Sequence, residues 1–156
     1  MNALVRLLLK IAYRAQLVLW WILRPRRRSG HVALCVGDRV LVVRNSYRPA
    51  LGLPAGQSHP GEATDSGACR ELREEVGIHL DPSQLHLAGV SVNRAEYKED
   101  VAHVFEARLE AEVPPRVDGR EVIWAGYLTR EELGAKKLTI PLSDWLRGRL
   151  DPAPKD

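Results

Sequence analysis

The sequence has little of what a disulfide framework or a metal–thiolate site would require. It contains two cysteines, Cys35 and Cys69, and neither belongs to a Cys-x-x-Cys pair or lies at metal-binding spacing from a histidine. We therefore expect two reduced, buried thiols and a reducing compartment. The chain also lacks internal repeats and low-complexity tracts, and its 156 residues suffice for one ordinary domain.

Acidic residues are absent from the first 30 positions. Seven of the 23 basic residues lie there, which leaves 16 basic against 20 acidic residues in the rest of the chain. The pI near 9.1 therefore describes a basic N-terminal arm on a mildly acidic domain. This distribution argues against a broad basic surface, so no specific nucleic-acid partner is expected.

The arm, residues 1–28, combines an amphipathic helix with a basic linker. No glycine or proline interrupts residues 4–23, so a helix is predicted there that ends at Pro25. Arg6, Lys10 and Arg14 recur every four residues and share one face. The opposite face is apolar and consists of Leu4, Leu8, Ile11, Ala15, Val18, Leu19 and Ile22.

Three placements of this helix remain open. It is long enough to span a bilayer, but three cations at roughly 2.5 to 3.5 kcal/mol each outweigh the gain from its aliphatic residues. It can instead pack on its own domain or on a second copy, which would give a homodimer. The pattern favours a helix lying in the interface of an anionic membrane, with Trp20 and Trp21 as anchors and basic residues 26–28 behind them. We accordingly expect a cytoplasmic protein that is peripheral on the inner face of the membrane.

Residues 29–150 predict one α/β domain, followed by a frayed tail at 151–156. Strand-like runs occupy 31–36, 40–43, 85–92, 101–109 and 121–128. Helices are predicted at 63–76 and 142–150, and a capping-box pattern at Thr129 and Glu132 begins another. Residues 44–60 are rich in glycine and proline and predict a long loop. Strands mixed with helices indicate a mixed β-sheet covered by helices on both faces.

Three glutamates of the helix predicted at 63–76 are candidate ligands of a metal ion. Glu71, Glu74 and Glu75 stand at i, i+3 and i+4, so their side chains lie on one face and repel one another. A hard divalent cation such as Mg²⁺ would offset this repulsion, because it prefers carboxylate oxygens. The alternative is a solvated helix face on which Arg70 and Arg73 screen the acids.

The surrounding residues resemble the signature of one enzyme family, the Nudix hydrolases. The signature is G-x5-E-x7-R-E-U-x-E-E-x-G-U, where U is aliphatic, and it aligns with residues 56–78. All nine specified positions match, namely Gly56, Glu62, Arg70, Glu71, Leu72, Glu74, Glu75, Gly77 and Ile78. A match at nine positions is far more specific than a lone G-x-G-x-x-G motif.

The resemblance implies an α/β/α sandwich that hydrolyses a diphosphate linkage in a nucleoside diphosphate joined to another group, using Mg²⁺ or Mn²⁺. It implies that Glu71, Glu74 and Glu75 are metal ligands, that Glu74 also serves as or assists the base, and that Glu62 and Arg70 hold the loop and helix in shape. Gly56 allows the loop to turn tightly beside a phosphate chain, and Gly77 suits a helix C-cap.

Residues outside the signature complete the candidate site. Some members of the family use a glutamate elsewhere as the base, and Glu121 is the candidate here, with Glu99 and Asp100 as rivals. Arg44 and Arg48 flank the approach to the signature and are candidates for binding phosphate. Two functions other than an active hydrolase remain open, a catalytically silent nucleotide-binding module and a membrane-tethered regulatory module.

Overall fold

The computed structural model describes residues 2–23, 26–93, 99–117 and 119–152. The predicted helix stop at Pro25 and the tail beyond residue 152 lie outside these ranges. Within α1, the backbone of Leu4, Arg6 and Trp20 is described but their side chains are not. The elements are α1 (Asn2–Leu23), β1 (Arg26–Val36), β2 (Arg39–Asn45), β3 (Leu51–Gly52), β4 (Ala55–Gln57), α2 (Thr64–Val76), a 3-10 turn (Pro82–Gln84), β5 (His86–Asn93), β6 (Glu99–Arg108), β7 (Val122–Thr129), α3 (Arg130–Gly134) and α4 (Ile140–Leu146).

The strands form one mixed sheet, as the sequence predicts. Its order is β3–β2–β1–β6–β5, with β4 added to β1 and β7 added to β2. β1 and β6 run parallel over ten residue pairs, whereas the other strand pairs are antiparallel. β1 thus lies at the centre of the sheet and touches the strand that opens the acidic signature.

Helices cover both faces of the sheet, which confirms the predicted sandwich. Alternate residues of β1 point to opposite faces, as the two-residue period of a strand requires. Val32 and Leu34 pack with Leu72 of α2 in one buried cluster. Ala33 and Cys35 pack with the residues Leu133 and Leu142 of α3 and α4 in the other. Both cysteines are free and buried, as expected.

The helix ends follow the predicted capping residues with small shifts. α2 ends at Gly77, which takes a left-handed conformation (φ 71°) that an L-residue adopts only with strain. At the start of α3, Thr129 and Glu132 form the predicted capping box. The last helix was expected at 142–150, which is wrong: α4 spans Ile140–Leu146, because proline is accepted in its first turn and Gly148 (φ 62°) follows its end.

Three boundaries differ from the sequence prediction. The expected loop at 44–60 contains the short strands β3 and β4, which are held by pairing with β2 and β1. β1 begins at Arg26, so residues 26–28 of the expected linker pair with β6. Asp151, expected to fray, exchanges two backbone hydrogen bonds with Val90 (2.8 and 2.9 Å).

α1 presents its predicted apolar face to solvent. Leu8, Ile11, Val18 and Ile22 are between 55% and 64% exposed. Lys10 and Arg14 are exposed beside them, whereas Tyr13 on the other side of the helix is half-buried. Among the described helices, none is long and apolar enough to cross a membrane.

Candidate active site

The signature begins on β4 and ends on α2, so the sheet fixes its first residues and the helix its acids. Gly56 pairs with Gly30 of β1, which places it against the side of α2. A Cβ built on Gly56 would lie 2.0 Å from Glu71 Cδ. Only glycine at this position leaves room for the Glu71 carboxyl group.

Arg70 connects the loop to the helix. Its Nε and Nη2 donate to the two carboxylate oxygens of Glu62 (3.0 and 3.1 Å), and Nη2 also donates to the Gln57 carbonyl (2.9 Å). The bonds from Arg70, and a further one from the His59 amide (2.8 Å), lower the pKa of Glu62 to about 2. Glu62 and Arg70 thus make the contacts expected of residues that hold the loop in shape.

The three glutamates of α2 have different surroundings. Glu71 accepts a hydrogen bond from Arg70 Nη1 (2.7 Å), and the more exposed Glu74 lies 3.6 Å from the same nitrogen. Glu75 is turned inward and accepts from the Ala55 amide (3.0 Å). In the part of the chain that the structure describes, no three His, Cys, Asp or Glu side chains converge closely enough to form a ready metal site.

The inward-facing acids are under electrostatic strain. Burial, followed by repulsion from Glu121, Glu71 and Glu74, raises the pKa of Glu75 to about 8, despite the bond from Ala55. Burial also raises the pKa of Glu71, although Arg70 opposes this. A hard cation would relieve the repulsion, and a donor set made of carboxylate oxygens suits Mg²⁺ or Mn²⁺. The residues present therefore fit a divalent metal.

A cleft of about 470 Å³ brings some of the predicted site residues together. Its walls include Glu71, Glu75, Glu121, Arg48 and Gly56. The carboxylates of α2, the end of the β6–β7 connection and the loop after β2 therefore meet in one place. They form a cavity large enough for a small-molecule ligand.

Other predicted residues lie outside the walls of this cleft. Arg44 and Glu74 are exposed, and Glu99 is half-buried at the start of β6. Val43, the residue before Arg44 on β2, is buried in the core, whereas the side chain of Arg44 is exposed. Asp100, the other rival base, does line the cleft, where it accepts a hydrogen bond from Ser29 Oγ (2.9 Å).

Two sets of cleft residues were missed in the sequence. Ser29 Oγ also lies 3.0 Å from His31 Nε2, which extends the polar group around Asp100. Tyr13 and Tyr47 form an aromatic wall, with ring centroids 4.9 Å apart. The alternation of polar Ser29 and His31 at the start of an otherwise apolar strand was a usable signal for the first set. No local pattern links Tyr13 with Tyr47, which lies 34 positions away.

A second, larger cavity of about 840 Å³ lies elsewhere, between the β1–β2 turn, α3 and α4. Its walls include Arg39, Arg108 and Trp145 but no residue of the glutamate set on α2. Size alone therefore does not identify the site, and the acids place the candidate active site in the smaller cleft.

Comparison with known proteins gives the family of the chain. The family model described as NUDIX domain matches residues 24–147, which is most of the chain. The chain belongs to the Nudix hydrolase family. The matched region includes every strand of the sheet, and it excludes α1.

Individual relatives resemble this Nudix hydrolase to different extents. The chain is 36% identical over 69 residues to the human protein named 8-oxo-dGDP phosphatase NUDT18; the match covers 40% of this chain and spans 21% of that relative's length. A MutT NUDIX hydrolase from Burkholderia pseudomallei is 26% identical, with a TM-score of 0.69 and coverage of 78% of this chain and 96% of its own.

A more distant structure shares the fold. It is a bifunctional NMN adenylyltransferase/ADP ribose pyrophosphatase from Francisella tularensis, solved with AMP and a manganese ion. It is 17% identical with a TM-score of 0.66, and the match covers 89% of this chain and 48% of that one.

Proposed function

We propose that this Nudix hydrolase cleaves the diphosphate linkage of a nucleoside diphosphate joined to another group, or of a nucleoside diphosphate itself, with Mg²⁺ or Mn²⁺. The observation that carries the proposal is the single cleft shared by Glu71, Glu75, Glu121 and Arg48. The carboxylates repel one another and would be stabilised by a metal ion, and the guanidinium group of Arg48 can pair with a phosphate chain. This combination suits a site that receives both.

The residues divide the work by position. Glu71, Glu74 and Glu75 would hold the metal, which when bound neutralises phosphate charge and acidifies a water. Glu121 accepts a proton from the attacking water, and Arg48 pairs with a phosphate oxygen. Gly56 keeps the Glu71 carboxylate in place, while Glu62 and Arg70 fix the loop. Positioning and electrostatics of this kind supply most of the rate enhancement in phosphoryl transfer.

The named relative supports a nucleotide substrate. NUDT18 is called an 8-oxo-dGDP phosphatase, which makes nucleoside diphosphates the first class to test. A panel of nucleoside diphosphates, nucleoside triphosphates and diphosphate-linked sugars, incubated with Mg²⁺ or Mn²⁺, identifies the substrate by phosphate release. We expect at least one compound to be cleaved and Glu74→Gln to lose most of that activity.

An exposed acid on α3 provides the matched control. Glu131→Gln removes the same charge outside the cleft and should keep wild-type activity. Wild-type protein that binds a nucleotide in the panel but cleaves none would favour the silent nucleotide-binding module. Full activity of Glu74→Gln would show that the metal site is assigned wrongly.

We also propose that α1 docks on an anionic membrane surface on the cytoplasmic side. Its apolar side chains Leu8, Ile11, Val18 and Ile22 are exposed, and Lys10 and Arg14 lie at their border. Charge complementarity with acidic headgroups selects the membrane over other apolar partners.

This test uses the full chain, because a truncated protein that begins at Ser29 would lose three residues of β1 that pair with β6. We expect the protein to sediment with phosphatidylserine-containing vesicles, and less with pure phosphatidylcholine vesicles. Replacing Leu8, Ile11, Val18 and Ile22 with Gln should abolish this sedimentation. Wild-type protein that stays in the supernatant and elutes as a dimer would instead assign the apolar face to a second copy of the chain.

A further inference from the structure

One side of α1 contacts the candidate active site. Leu9, Ala12, Tyr13 and Gln16 all line the cleft. Their spacing of i, i+3, i+4 and i+7 places them on a single face of the helix, which is distinct from the exposed apolar face. The N-terminal helix therefore has two different sides, one toward solvent and one toward the cleft.

Tyr13 makes the specific contacts of this helix. Its ring lies 4.9 Å from that of Tyr47 (centroid to centroid), tilted by 32°, which is a favourable aromatic arrangement. Arg48 Nε donates a hydrogen bond to the Tyr13 hydroxyl (3.2 Å). Arg48 Cζ also lies 5.4 Å from the centre of the Tyr13 ring and 5.7 Å from that of Tyr47, within cation–π range of both.

Tyr47, which packs on Tyr13, in turn holds the side chain of Glu121. Its hydroxyl donates to Glu121 Oε1 (2.9 Å) and accepts from Asn45 Nδ2 (3.2 Å). The backbone beside it is fixed as well, because the Ser46 amide donates to the Glu121 carbonyl (2.7 Å). Glu121 is itself exposed, so these contacts set its direction without burying it.

We propose that α1 is a working part of the active site, in which Tyr13 positions Arg48 and Tyr47 and, through Tyr47, the Glu121 carboxylate. The inference rests on the proposed hydrolase function of the cleft. Tyr13 is a positioning residue: it acts on the substrate through the cation of Arg48 and on the water through Glu121.

The physical gain is preorganisation. Arg48 and Glu121 carry long side chains that, on a surface, would lose rotamer entropy on engaging a substrate. Two aromatic rings and two hydroxyl groups restrict them before the substrate arrives. A catalytic group misplaced by about 1 Å can cost on the order of 100-fold in rate, so loss of this restraint should be visible in kinetics.

Steady-state kinetics of the full chain with Mg²⁺ and without lipid test the proposal. Tyr13→Ala should lower kcat/KM about tenfold, because it removes both the hydroxyl acceptor and the ring. Tyr13→Phe keeps the ring and should retain most of the activity, within about threefold of wild type. Tyr47→Phe should lower kcat about tenfold with little change in KM, because it releases the carboxylate of Glu121 and leaves the ring against Arg48.

The control variant is Leu7→Ala, which truncates an exposed side chain of the same helix and should match wild type. Thermal melting of each variant separates a folding defect from a kinetic one. A Tyr13→Ala protein that melts at a lower temperature but keeps wild-type kcat and KM would overturn the proposal, because its role would then be structural only.

Calorimetric binding of a methylene-bridged nucleoside diphosphate, which cannot be hydrolysed, distinguishes this inference from the proposed function. If the wild type turns over no substrate but binds this analogue several-fold more tightly than Tyr13→Ala does, the hydrolase proposal fails and the role of Tyr13 in the cleft stands. If wild type and Tyr13→Ala bind it equally and turn over substrate equally, the inference fails and the hydrolase proposal stands.

Discussion

Gly56 and Glu71 share a space that has no room for one more carbon atom. A Cβ on Gly56 would lie 2.0 Å from Glu71 Cδ and 2.2 Å from Glu71 Oε1. Since no real contact is this short, a side chain at 56 must expel the Glu71 carboxyl group from its position. The contact ties a glycine of β4 to a proposed metal ligand 15 residues later.

The first prediction follows from this contact. Gly56→Ala should lower the rate of diphosphate hydrolysis about 100-fold, because it displaces a metal ligand from its place in the cleft. Gly134→Ala is the matched control: a Cβ there meets nothing within 4 Å. Wild-type activity of Gly56→Ala would show that the position of Glu71 is unimportant for turnover.

A second prediction concerns the stability of the loop between β4 and α2. Arg70→Ala should lower the free energy of unfolding by about 2 kcal/mol, since it removes charge-assisted hydrogen bonds to Glu62 and a bond to the Gln57 carbonyl. Arg73→Ala, which truncates the same side chain at an exposed position of α2, should cost less than about 0.5 kcal/mol. Urea unfolding of both variants measures the difference, and equal midpoints would contradict this account.

Local patterns in the sequence were sufficient to predict α2, the helix that carries the proposed metal ligands. The glutamate spacing, the glycine at its end and the capping box of α3 all act within a few residues, so they could be predicted. Runs of apolar residues similarly predicted the central strands β1 and β2. The mixed sheet and its helical cover followed from the order of these elements.

Long-range pairing was what the sequence could not reveal. β3 and β4 have two and three residues, and they exist because β2 and β1 supply their hydrogen-bond partners. The basic residues 26–28 looked like a linker, but pairing with β6 makes them strand. Tyr13 joins the cleft for the same reason: its partners Tyr47 and Arg48 come from a distant loop.

A third prediction concerns pH. The pKa of Glu75 is about 8 in the folded metal-free protein, above its ordinary value of 4.5, so the folded state holds this proton more tightly than the unfolded state. The contribution of Glu75 to stability is therefore complete below about pH 4.5 and is lost as the pH rises through about 8. In EDTA, the melting temperature should fall between pH 5 and 8 more steeply for wild type than for Glu75→Gln.

Added Mg²⁺ should oppose this loss, because it binds the ionised carboxylate and stabilises the folded state at higher pH. Glu131→Gln, an exposed acid on α3, should keep the wild-type pH slope and serves as the control. If Glu75→Gln shows the same slope as wild type, the Glu75 carboxyl group does not cause this pH dependence.

The fourth prediction separates two of the candidate bases, Glu121 and Glu99. Glu121 lines the cleft and is held by Tyr47, whereas Glu99 lies outside the cleft walls. Glu121→Gln should therefore lower kcat by about 100-fold or more, the usual contribution of a general base. Glu99→Gln should stay within about twofold of wild type. The reverse order, measured at saturating substrate and Mg²⁺, would move the base to the start of β6.

We propose that the glutamates of α2 bind a divalent metal on which hydrolysis depends. The most direct test measures the initial rate of diphosphate hydrolysis against Mg²⁺ concentration for wild type and Glu75→Gln. We predict no turnover in EDTA, a saturable rise with Mg²⁺ for wild type, and a requirement for at least about tenfold more Mg²⁺ in the variant. Hydrolysis by wild type at the same rate in EDTA, or identical Mg²⁺ dependence of the two proteins, would contradict it.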